Sequence, residues 1–268
     1  PYTTLFRSGG ALYLNNGTLN INNANFISNT GRYGGAIYYH NGSLTIDNSK
    51  FESNSSTYTA GAIYQNNATT LTIKNSEFKG NYTINSSSGG ALYSGNSNST
   101  LTLENTDFIG NYGGNGGAIY NNYAANVLNS KFNYNSASEN GGAIYTAAGT
   151  LADNHAATVI SGSTFANNTA GVNGGALYVG TYSIVQVADS SFTNNYAGVH
   201  GGEVVACGTP QEVMKNSNSV TAQFLRGDMK IEIPQKRRGG NNQFLTIVGA
   251  KQNNLKNITV NFPLGEFV

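Results

Sequence analysis

Short segments that alternate apolar and polar residues recur along the first two hundred residues of the chain. A Gly-Ala-Ile/Leu-Tyr element returns every 25–33 residues, and its alanines are Ala11, Ala36, Ala62, Ala91, Ala118, Ala143 and Ala176. A Phe-x-x-Asn element follows each copy, and its phenylalanines are Phe26, Phe51, Phe78, Phe108, Phe132, Phe165 and Phe192. A third apolar segment, such as Leu44-Thr45-Ile46, lies between the two. Seven copies of both elements indicate a repeat protein.

The periodicity within each repeat predicts strands rather than helices. Apolar residues recur at a period of two, and the segments are rich in β-branched and aromatic residues, Asn, Ser and Gly. A helical repeat needs Ala-, Leu-, Glu- and Lys-rich segments of about ten residues or more. The sequence therefore predicts an all-β fold over residues 9–196, a parallel β-helix of about seven coils. Each coil is predicted to contain two or three short strands that pair with the next coil.

The repeated residues have distinct predicted positions in such a coil. The aliphatic residue after each Ala, and each Phe, are predicted to point into a narrow apolar core. The Gly-Gly pair before each Ala suits a corner with a positive φ and a close backbone approach, and the third repeat has Ala60-Gly61 there. The Asn of each Phe-x-x-Asn element is predicted to adopt a left-handed turn conformation and to bond through its amide to the next coil.

Charged residues give an independent test of this stacking. The position after the central strand holds Asp47, Lys74 and Glu104 in successive coils. The position before the Phe holds Lys50, Glu77, Asp107 and Lys131. Neighbouring coils mostly carry opposite charges, as expected of solvent-exposed cross-strand pairs. We therefore predict that the coils stack in register with these positions on an outer surface.

A tyrosine closes every Gly-Ala-Ile/Leu-Tyr element, and we predict that these side chains form an outward-facing column. Because successive residues of a strand point to opposite faces, an inward Ile or Leu places the following Tyr outside. The predicted column contains Tyr13, Tyr38, Tyr64, Tyr93, Tyr120, Tyr145 and Tyr178. Two interpretations stay open: a stripe that binds glycan rings or a protein strand, and a structural ladder of stacked rings.

The chemistry-bearing residues predict a non-enzymatic protein without cofactor or metal. Asp47, Asp107, Asp153 and Asp189 occupy different positions in their coils, whereas a glycan-cleaving enzyme gathers its carboxylates on one face. A β-helix polysaccharide lyase or hydrolase is retained as an alternative. Cys207, the single cysteine, cannot form a cysteine-based metal site. The net charge of +1 does not favour a nucleic acid partner, and no stretch of about 18 apolar residues predicts membrane insertion.

The composition changes near residue 200. Residues 1–200 contain 6 Lys/Arg and 8 Asp/Glu, whereas residues 201–268 contain 8 and 5. All 17 Tyr precede this point, and the Cys and both Met follow it. We therefore predict a second segment, of α/β type, over residues 197–268. Its expected elements are a strand at 203–206, a helix opened by Thr209-Pro210-Gln211-Glu212, and strands at 244–248 and 258–262.

The paired repeat elements resemble those of polymorphic outer-membrane proteins and related bacterial β-helix adhesins, over about 190 residues. The resemblance implies a right-handed parallel β-helix, part of an autotransporter-type passenger displayed on a cell surface or secreted. It also implies an adhesin-like or structural function, with a host glycan or protein surface as the partner. The sequence shows no signal peptide, so export is not predicted for this chain itself.

The last segment resembles a different family, the cytoplasmic damage-sensing ATPase of excinuclease ABC, which acts in nucleotide-excision DNA repair. Three blocks carry the resemblance in order: AGVHGGEVVACGTPQEVM, SVTAQFLRG and KRRGGNNQFLTIVGAKQNNLKNITVNFPLGEFV. It implies the end of the first ATPase half, a linker and the first strands of the second half. The phosphate-loop motif G-x-x-x-x-G-K-[ST] does not occur in the chain, so no nucleotide is predicted to bind. A DNA-repair ATPase fragment is nevertheless the alternative function.

The junction of the two resemblances predicts a chimeric chain. The AG…GG letters at 197–202 fit both the repeat and the repair protein. Residues 1–8, PYTTLFRS, fit no repeat and resemble a translated sequencing adapter, so they are excluded from the predicted fold. A misassembled reading frame is the favoured explanation, and an authentic fusion is the alternative. A single sequencing read through the codons for residues 190–210 distinguishes them.

Overall fold

The computed structural model describes residues 8–67, 69–95, 99–147, 158–181, 183–201, 226–228, 244–250 and 258–263. The chain divides into two compact units, Pro1–Asn218 and Ser219–Val268. The described part of the first unit consists of short β-strands joined by turns, and these strands form seven successive coils.

Each coil contributes four strands, numbered in chain order. Coil 1 contains β1 (Leu12–Leu14), β2 (Thr18–Asn22), β3 (Asn25–Ile27) and β4 (Thr30–Tyr33). Coil 2 contains β5 (Ile37–Tyr39), β6 (Gly42–Asp47), β7 (Lys50–Glu52) and β8 (Ser55–Thr59). Coil 3 contains β9 (Ile63–Gln65), β10 (Thr69–Lys74), β11 (Glu77–Lys79) and β12 (Tyr82–Thr83). Coil 4 contains β13 (Leu92–Ser94), β14 (Thr100–Glu104), β15 (Asp107–Ile109) and β16 (Tyr112–Gly113).

The last three coils repeat this order. Coil 5 contains β17 (Ile119–Asn121), β18 (Ala124–Leu128), β19 (Lys131–Asn133) and β20 (Ser136–Ala137). Coil 6 contains β21 (Ile144–Thr146), β22 (Thr158–Ser161), β23 (Thr164–Ala166) and β24 (Thr169–Ala170). Coil 7 contains β25 (Leu177–Val179), β26 (Val185–Ala188), β27 (Ser191–Thr193) and β28 (Tyr196–Ala197).

The four strands of each coil belong to four parallel sheets, each seven strands deep. We call them sheets A, B, C and D after the first, second, third and fourth strand of a coil. Equivalent residues pair between coils, for example Phe78 with Phe51 and Phe108. The all-β parallel solenoid is therefore confirmed, but the prediction of two or three strands per coil is wrong. The fourth strand was missed because it has two residues in most coils, too few to show an alternating pattern.

The core is filled by columns of like residues, as predicted. In the interior coils of sheet A, Ile37, Ile63, Leu92 and Ile119 expose at most 1% of their surface. The Phe rings of sheet C lie parallel, with centroids 4.6–5.0 Å apart along the whole stack. These spacings match the distance between neighbouring strands of a sheet. Burial of apolar area and contact between identical side chains thus specify the same register.

A buried asparagine ladder runs beside the Phe stack. In each interior coil the Asn of the Phe-x-x-Asn element donates from Nδ2 to the next Asn Oδ1, as Asn81 does to Asn111 at 3.0 Å. The same Nδ2 donates to the Phe carbonyl of the previous coil, as Asn81 does to Phe51. The amide ladder is confirmed, but the left-handed conformation is not at this Asn. It lies one residue earlier, for example at Ser53 with φ 54°.

The glycine pair has the two predicted properties. The first position has a positive φ, 64° at Gly34 and 63° at Ala60, which replaces it in coil 3. At the second position a Cβ on Gly35 would overlap the carbonyl oxygens of Gly61 and Ser55. A Cβ on Gly34 would also approach the Ile37 carbonyl oxygen, to 2.1 Å, yet coil 3 accommodates Ala60 at the first position, whereas the second position is Gly in every coil.

Three of the predicted charge pairs form on the outside of sheets B and C. Lys74 Nζ lies 2.7 Å from Glu104 Oε2, across neighbouring strands β10 and β14. In sheet C, Lys50 Nζ lies 3.6 Å from Glu77 Oε1, and Lys131 Nζ lies 3.8 Å from Asp107 Oδ2. These side chains are part-exposed, so each pair contributes little to stability and mainly confirms the register.

The corners between sheets differ in their freedom to vary. Every connection from sheet B to sheet C, and from sheet C to sheet D, is two residues long, as between Asp47 and Lys50. A left-handed residue begins these turns, for example Asn48 with φ 46°. The connections from A to B and from D to A vary in length from coil to coil, and Thr146 and Thr158 flank the longest. Variation in the repeat period therefore arises at two of the four corners.

The coil pattern continues past the last strand of coil 7. Gly174 donates its backbone N–H to the His200 carbonyl, and Gly175 donates to Gly201. The second unit contains a separate antiparallel pair, β29 (Phe244–Ala250) and β30 (Ile258–Pro263), where two strands were predicted. The predicted strand at 203–206 and helix from Thr209 lie outside the described residues. The boundary at 196/197 stays a prediction.

Candidate functional site

The predicted tyrosine column forms a continuous ladder on sheet A. Each sheet A strand of coils 2–6 buries its first and third residues, so the central Tyr lies on the opposite side from the core. The rings of all seven stack with centroids 4.8–5.2 Å apart and interplanar angles of 4–19°. We call these residues the Tyr ladder: Tyr13, Tyr38, Tyr64, Tyr93, Tyr120, Tyr145 and Tyr178.

Stacking determines which part of each ring another molecule can reach. Tyr13 is 58% exposed at the end of the ladder, whereas the other six are half-buried. Because neighbouring rings cover each other's faces, the accessible parts of an interior tyrosine are its edge and its hydroxyl group. Tyr38 Oη accepts a hydrogen bond from Asn66 Nδ2 at 3.1 Å, and the same amide contacts His40 Nδ1 at 3.0 Å. The ladder therefore presents phenol groups rather than open ring faces.

Burial raises the pKa of the interior ladder hydroxyls. Desolvation is the largest cause at Tyr120 and brings its pKa to about 12, with smaller contributions from the neighbouring Tyr93 and Tyr145. Desolvation also raises the pKa of Tyr64 and Tyr93. The neutral phenol is thus the form that the folded ladder favours.

We expect alkaline pH to destabilise the coils through this ladder. The ordinary tyrosine pKa of 10.0 applies to the unfolded chain, and the folded pKa of Tyr120 is about 12. The stabilising contribution is therefore complete below pH 10 and is lost as pH rises towards 12. The check is the midpoint of thermal unfolding, measured by circular dichroism across that range. A variant with Tyr64, Tyr93 and Tyr120 changed to Phe should lose much of the dependence. An equal decline in both proteins would contradict the expectation.

A second surface, which the sequence did not predict as a site, lies at the corner between sheets B and C. It is a polar groove of about 690 Å³ that crosses the coils. It is lined by a column of asparagines in left-handed turns, with φ between 46° and 53°: Asn23, Asn48, Asn75, Asn105 and Asn129. Lys50, Glu77, Asp107 and Lys131 also line it, so its charges balance. The signal in the sequence is an Asn three residues before five of the seven Phe residues, which is typical of a turn and does not by itself indicate a groove.

Buried hydroxyl groups hold this groove in shape. Ser49 Oγ donates to the Asp47 carbonyl at 2.8 Å and accepts the Ala24 N–H of the previous coil at 3.1 Å. Ser76, Thr106, Ser130 and Ser163 occupy the same position in later coils and are 0–5% exposed. This second buried polar ladder was also missed, because Ser and Thr are common throughout the sequence.

The remaining candidate groups stay apart. Asp47 ends a sheet B strand, and Asp107 begins a sheet C strand. Asp189 lies in the turn between sheets B and C of coil 7, with a left-handed φ of 48°. Asp153 and His155 lie outside the described residues, as does Cys207. Within the described ranges, no group of three His, Cys, Asp or Glu side chains is arranged to hold a metal ion. The part of the chain that the structure describes contains no helix with the length and hydropathy of a membrane span.

Fold and ladders together define a parallel β-solenoid built from Phe-x-x-Asn and Gly-Gly-Ala-Ile/Leu-Tyr repeats. The family model of the Chlamydia polymorphic membrane protein repeat matches residues 129–147 and 162–180. Each matched range spans one sheet C strand, the ladder Asn, the glycine pair and one sheet A strand. The repeats are therefore similar to that family at the residues that form the core. No solved structure matches the chain.

A different part of the chain is similar to UvrABC system protein A. The protein of Streptococcus pneumoniae serotype 4 is 53% identical over 66 residues, which is 25% of this chain and 7% of the relative. The protein of Malacoplasma penetrans is 57% identical over 66 residues, again 25% and 7%. The protein of Deinococcus radiodurans is 58% identical over 63 residues, 24% and 6%. The chain thus joins repeats similar to those of polymorphic membrane proteins to a segment similar to UvrABC system protein A. It spans only 6–7% of the length of these UvrABC relatives.

Proposed function

We propose that the coil array is a non-enzymatic surface scaffold, adhesin-like or structural, positioned at the outer membrane, at the cell surface or outside the cell. The proposal is supported by the likeness to the polymorphic membrane protein repeat and by the parallel solenoid that carries it. We take the solenoid to be right-handed, the sense that parallel strand connections favour. The scaffold needs no cofactor, nucleotide or metal in this role.

The Tyr ladder carries the adhesive part of the proposal. Seven phenol groups at spacings of 4.8–5.2 Å present the same edge and hydroxyl in every coil. A partner with its own short repeat, such as a glycan chain or an extended protein strand on a host surface, contacts several of them at once. Weak individual contacts then add to a useful affinity. The ring stack also stabilises the coils, so the experiment must separate the two roles.

We expect a triple change in the ladder to reduce binding to host surfaces. The variant replaces Tyr93, Tyr120 and Tyr145 with Ser, which removes the hydroxyl-bearing ring from three adjacent coils. Binding to fixed epithelial cells and to immobilised oligosaccharides should fall about tenfold or more. A matched triple change to Phe keeps the stacked rings, and so should keep the fold while it removes the hydroxyl contacts.

Controls decide between adhesion and structure. Thr45, Thr72 and Thr102 are part-exposed and paired in register on sheet B, and their change to Val should leave binding intact. Unaltered binding in the Ser and Phe variants would refute the adhesive role. Release of sugar from the same glycans by the purified chain would refute the non-enzymatic one and support a lyase or hydrolase.

A DNA-repair ATPase fragment is the second candidate function, favoured by 53–58% identity to UvrABC system protein A over 63–66 residues. We infer an α/β remnant of such an ATPase beyond the coils, with a cytoplasmic parent. Coil-type hydrogen bonds reach Gly201, inside the letters that fit both resemblances. This overlap supports an artificial joining of two unrelated reading frames. A single genomic sequencing read through the codons for residues 190–210 would instead support an authentic fusion.

A further inference from the structure

The asparagines that line the polar groove between sheets B and C form a column of limited length. Each of their backbone N–H groups donates to a carbonyl of the next coil at 2.9–3.2 Å, which fixes the spacing between them. The column ends at coil 6, where Gly162 takes the position and a Cβ would overlap Asn129 Oδ1. At the usual spacing of paired strands, five residues span about 19 Å. We call these residues the Asn column: Asn23, Asn48, Asn75, Asn105 and Asn129.

Much of the hydrogen-bonding capacity of the Asn column is free to meet a ligand. All five residues are exposed. Asn75 Nδ2 donates to Asp47 Oδ1 at 2.9 Å, and Asn105 Nδ2 donates to Asn75 Oδ1 at 3.2 Å. Within the described ranges, the other three side-chain amides of the column have no hydrogen-bond partner. Because an amide has two N–H donors and an acceptor oxygen with two lone pairs, all five coils retain both donors and acceptors.

The other residues of the groove indicate the charge and polarity of its ligand. Lys50 Nζ lies 3.6 Å from Glu77 Oε1, and Lys131 Nζ lies 3.8 Å from Asp107 Oδ2, so the charges compensate one another. The twelve described residues that line the groove are all Asn, Ser, Lys, Glu or Asp. A protein partner binds chiefly through apolar and aromatic side chains that fill matching pockets. The groove therefore favours an uncharged, hydroxyl-rich ligand with repeating units.

We propose that the groove binds an extended, β-1,4-linked chain of neutral hexoses along the Asn column. Neighbouring sugar hydroxyls donate and accept at the same time, which matches the donors and acceptor of a side-chain amide. A β-1,4-linked chain is straight, and it advances per ring by nearly the spacing of adjacent coils, so successive rings meet successive amides. An α-1,4-linked chain curves away from a straight column. The proposal rests on the role of the coils as a binding scaffold, but it concerns another surface than the Tyr ladder.

Calorimetric titration of the full chain with β-1,4-linked glucose oligomers tests this assignment. Affinity should rise about threefold or more with each ring from cellotriose to cellopentaose, since each ring adds hydrogen bonds to one more amide. It should level off at cellohexaose, because the Asn column has five members. Maltopentaose, the α-1,4-linked chain of the same length as cellopentaose, should bind about tenfold or more weakly.

Two glycine substitutions test the Asn column itself. Asn48→Gly combined with Asn105→Gly removes two amides and should weaken cellopentaose binding about tenfold or more. Glycine preserves the left-handed turn, as Gly162 does in coil 6 with φ 60°. Asn194→Gly is the matched control, since Asn194 is exposed, has φ 54° and does not line the groove. It should leave the affinity unchanged.

Several results would overturn the proposal: equal affinity for cellopentaose and maltopentaose, no dependence on chain length, or an unchanged affinity in the double glycine variant. Tighter binding of a charged chain, such as the pentamer of galacturonic acid or of glucosamine, would also do so. If the double variant lowers the unfolding midpoint, nuclear magnetic resonance of the wild-type protein decides, because cellopentaose should shift the side-chain amide signals of the Asn column. Cellopentaose binding that persists in the Tyr ladder variants, whether or not cell binding is lost, would show that the two sites are separate.

Discussion

Replacing Phe108 with alanine is expected to lower the free energy of unfolding by about 3–5 kcal/mol. Phe108 is fully buried, and its ring stacks on Phe78 at 4.9 Å and on Phe132 at 5.0 Å. The change removes apolar burial and leaves a cavity between two rings that the backbone ladder holds apart. The measurement is urea denaturation of the full chain, followed by far-ultraviolet circular dichroism.

The first coil supplies the control for this prediction. Phe26 ends the same stack, is only partly buried and has one stacked neighbour, Phe51, at 4.7 Å. Phe26→Ala should therefore cost about half as much or less. In a double-mutant cycle, Phe108→Ala and Phe132→Ala should couple by about 0.5 kcal/mol or more, since the residues touch. Equal losses from Phe26→Ala and Phe108→Ala would contradict a continuous packed stack.

Replacing Asn111 with alanine is expected to cost about 3 kcal/mol, although it removes little apolar surface. The Asn111 side chain donates to Phe78 O and Asn135 Oδ1, both at 2.9 Å. Its Oδ1 accepts the Asn81 N–H at 2.9 Å and Asn81 Nδ2 at 3.0 Å. Alanine leaves the buried Asn81 N–H and Phe78 carbonyl without these partners, and each such group costs about 1–3 kcal/mol.

A matched substitution at the edge of this ladder tests the reasoning. Asn29 is half-buried and donates from Nδ2 to Asn54 Oδ1 at 2.9 Å. Asn29→Ala should cost about 1 kcal/mol in the same denaturation experiment. Asn111→Asp keeps the shape but loses the two Nδ2 donors, and should be nearly as harmful as alanine at neutral pH. A loss at Asn111 no larger than at Asn29 would show that the buried amides do not act as a ladder.

The columns of the core could be predicted because each of them repeats. Phe51, Phe78 and Phe108 occupy one position in successive repeats, and parallel stacking of like residues is the arrangement that buries all of them in one register. The charge pairs followed for the same reason. Lys74 meets Glu104 because strands β10 and β14 carry equivalent positions side by side.

Features without an alternating sequence pattern of their own were not predictable. The sheet D strands were missed because two residues such as Tyr112–Gly113 carry no periodicity. The sequence predicts a left-handed conformation at the ladder Asn, but the residue before it, such as Ser53, has the positive φ. Turn propensity does not identify which of two adjacent polar residues adopts this conformation. The polar groove and the half-burial of the Tyr ladder arise only when equivalent residues of several coils lie side by side.

The unequal corners have a consequence for how such an array can evolve. Insertions at the two-residue turns, such as that between Asp47 and Lys50, would displace the neighbouring sheets and break the amide and hydroxyl columns. Insertions after sheet A, where Thr146 and Thr158 flank the longest connection, leave those columns intact. Natural insertions should therefore accumulate on either side of sheet A. Gain or loss of a complete coil should be tolerated better than insertion of one residue between sheets B and C or between sheets C and D.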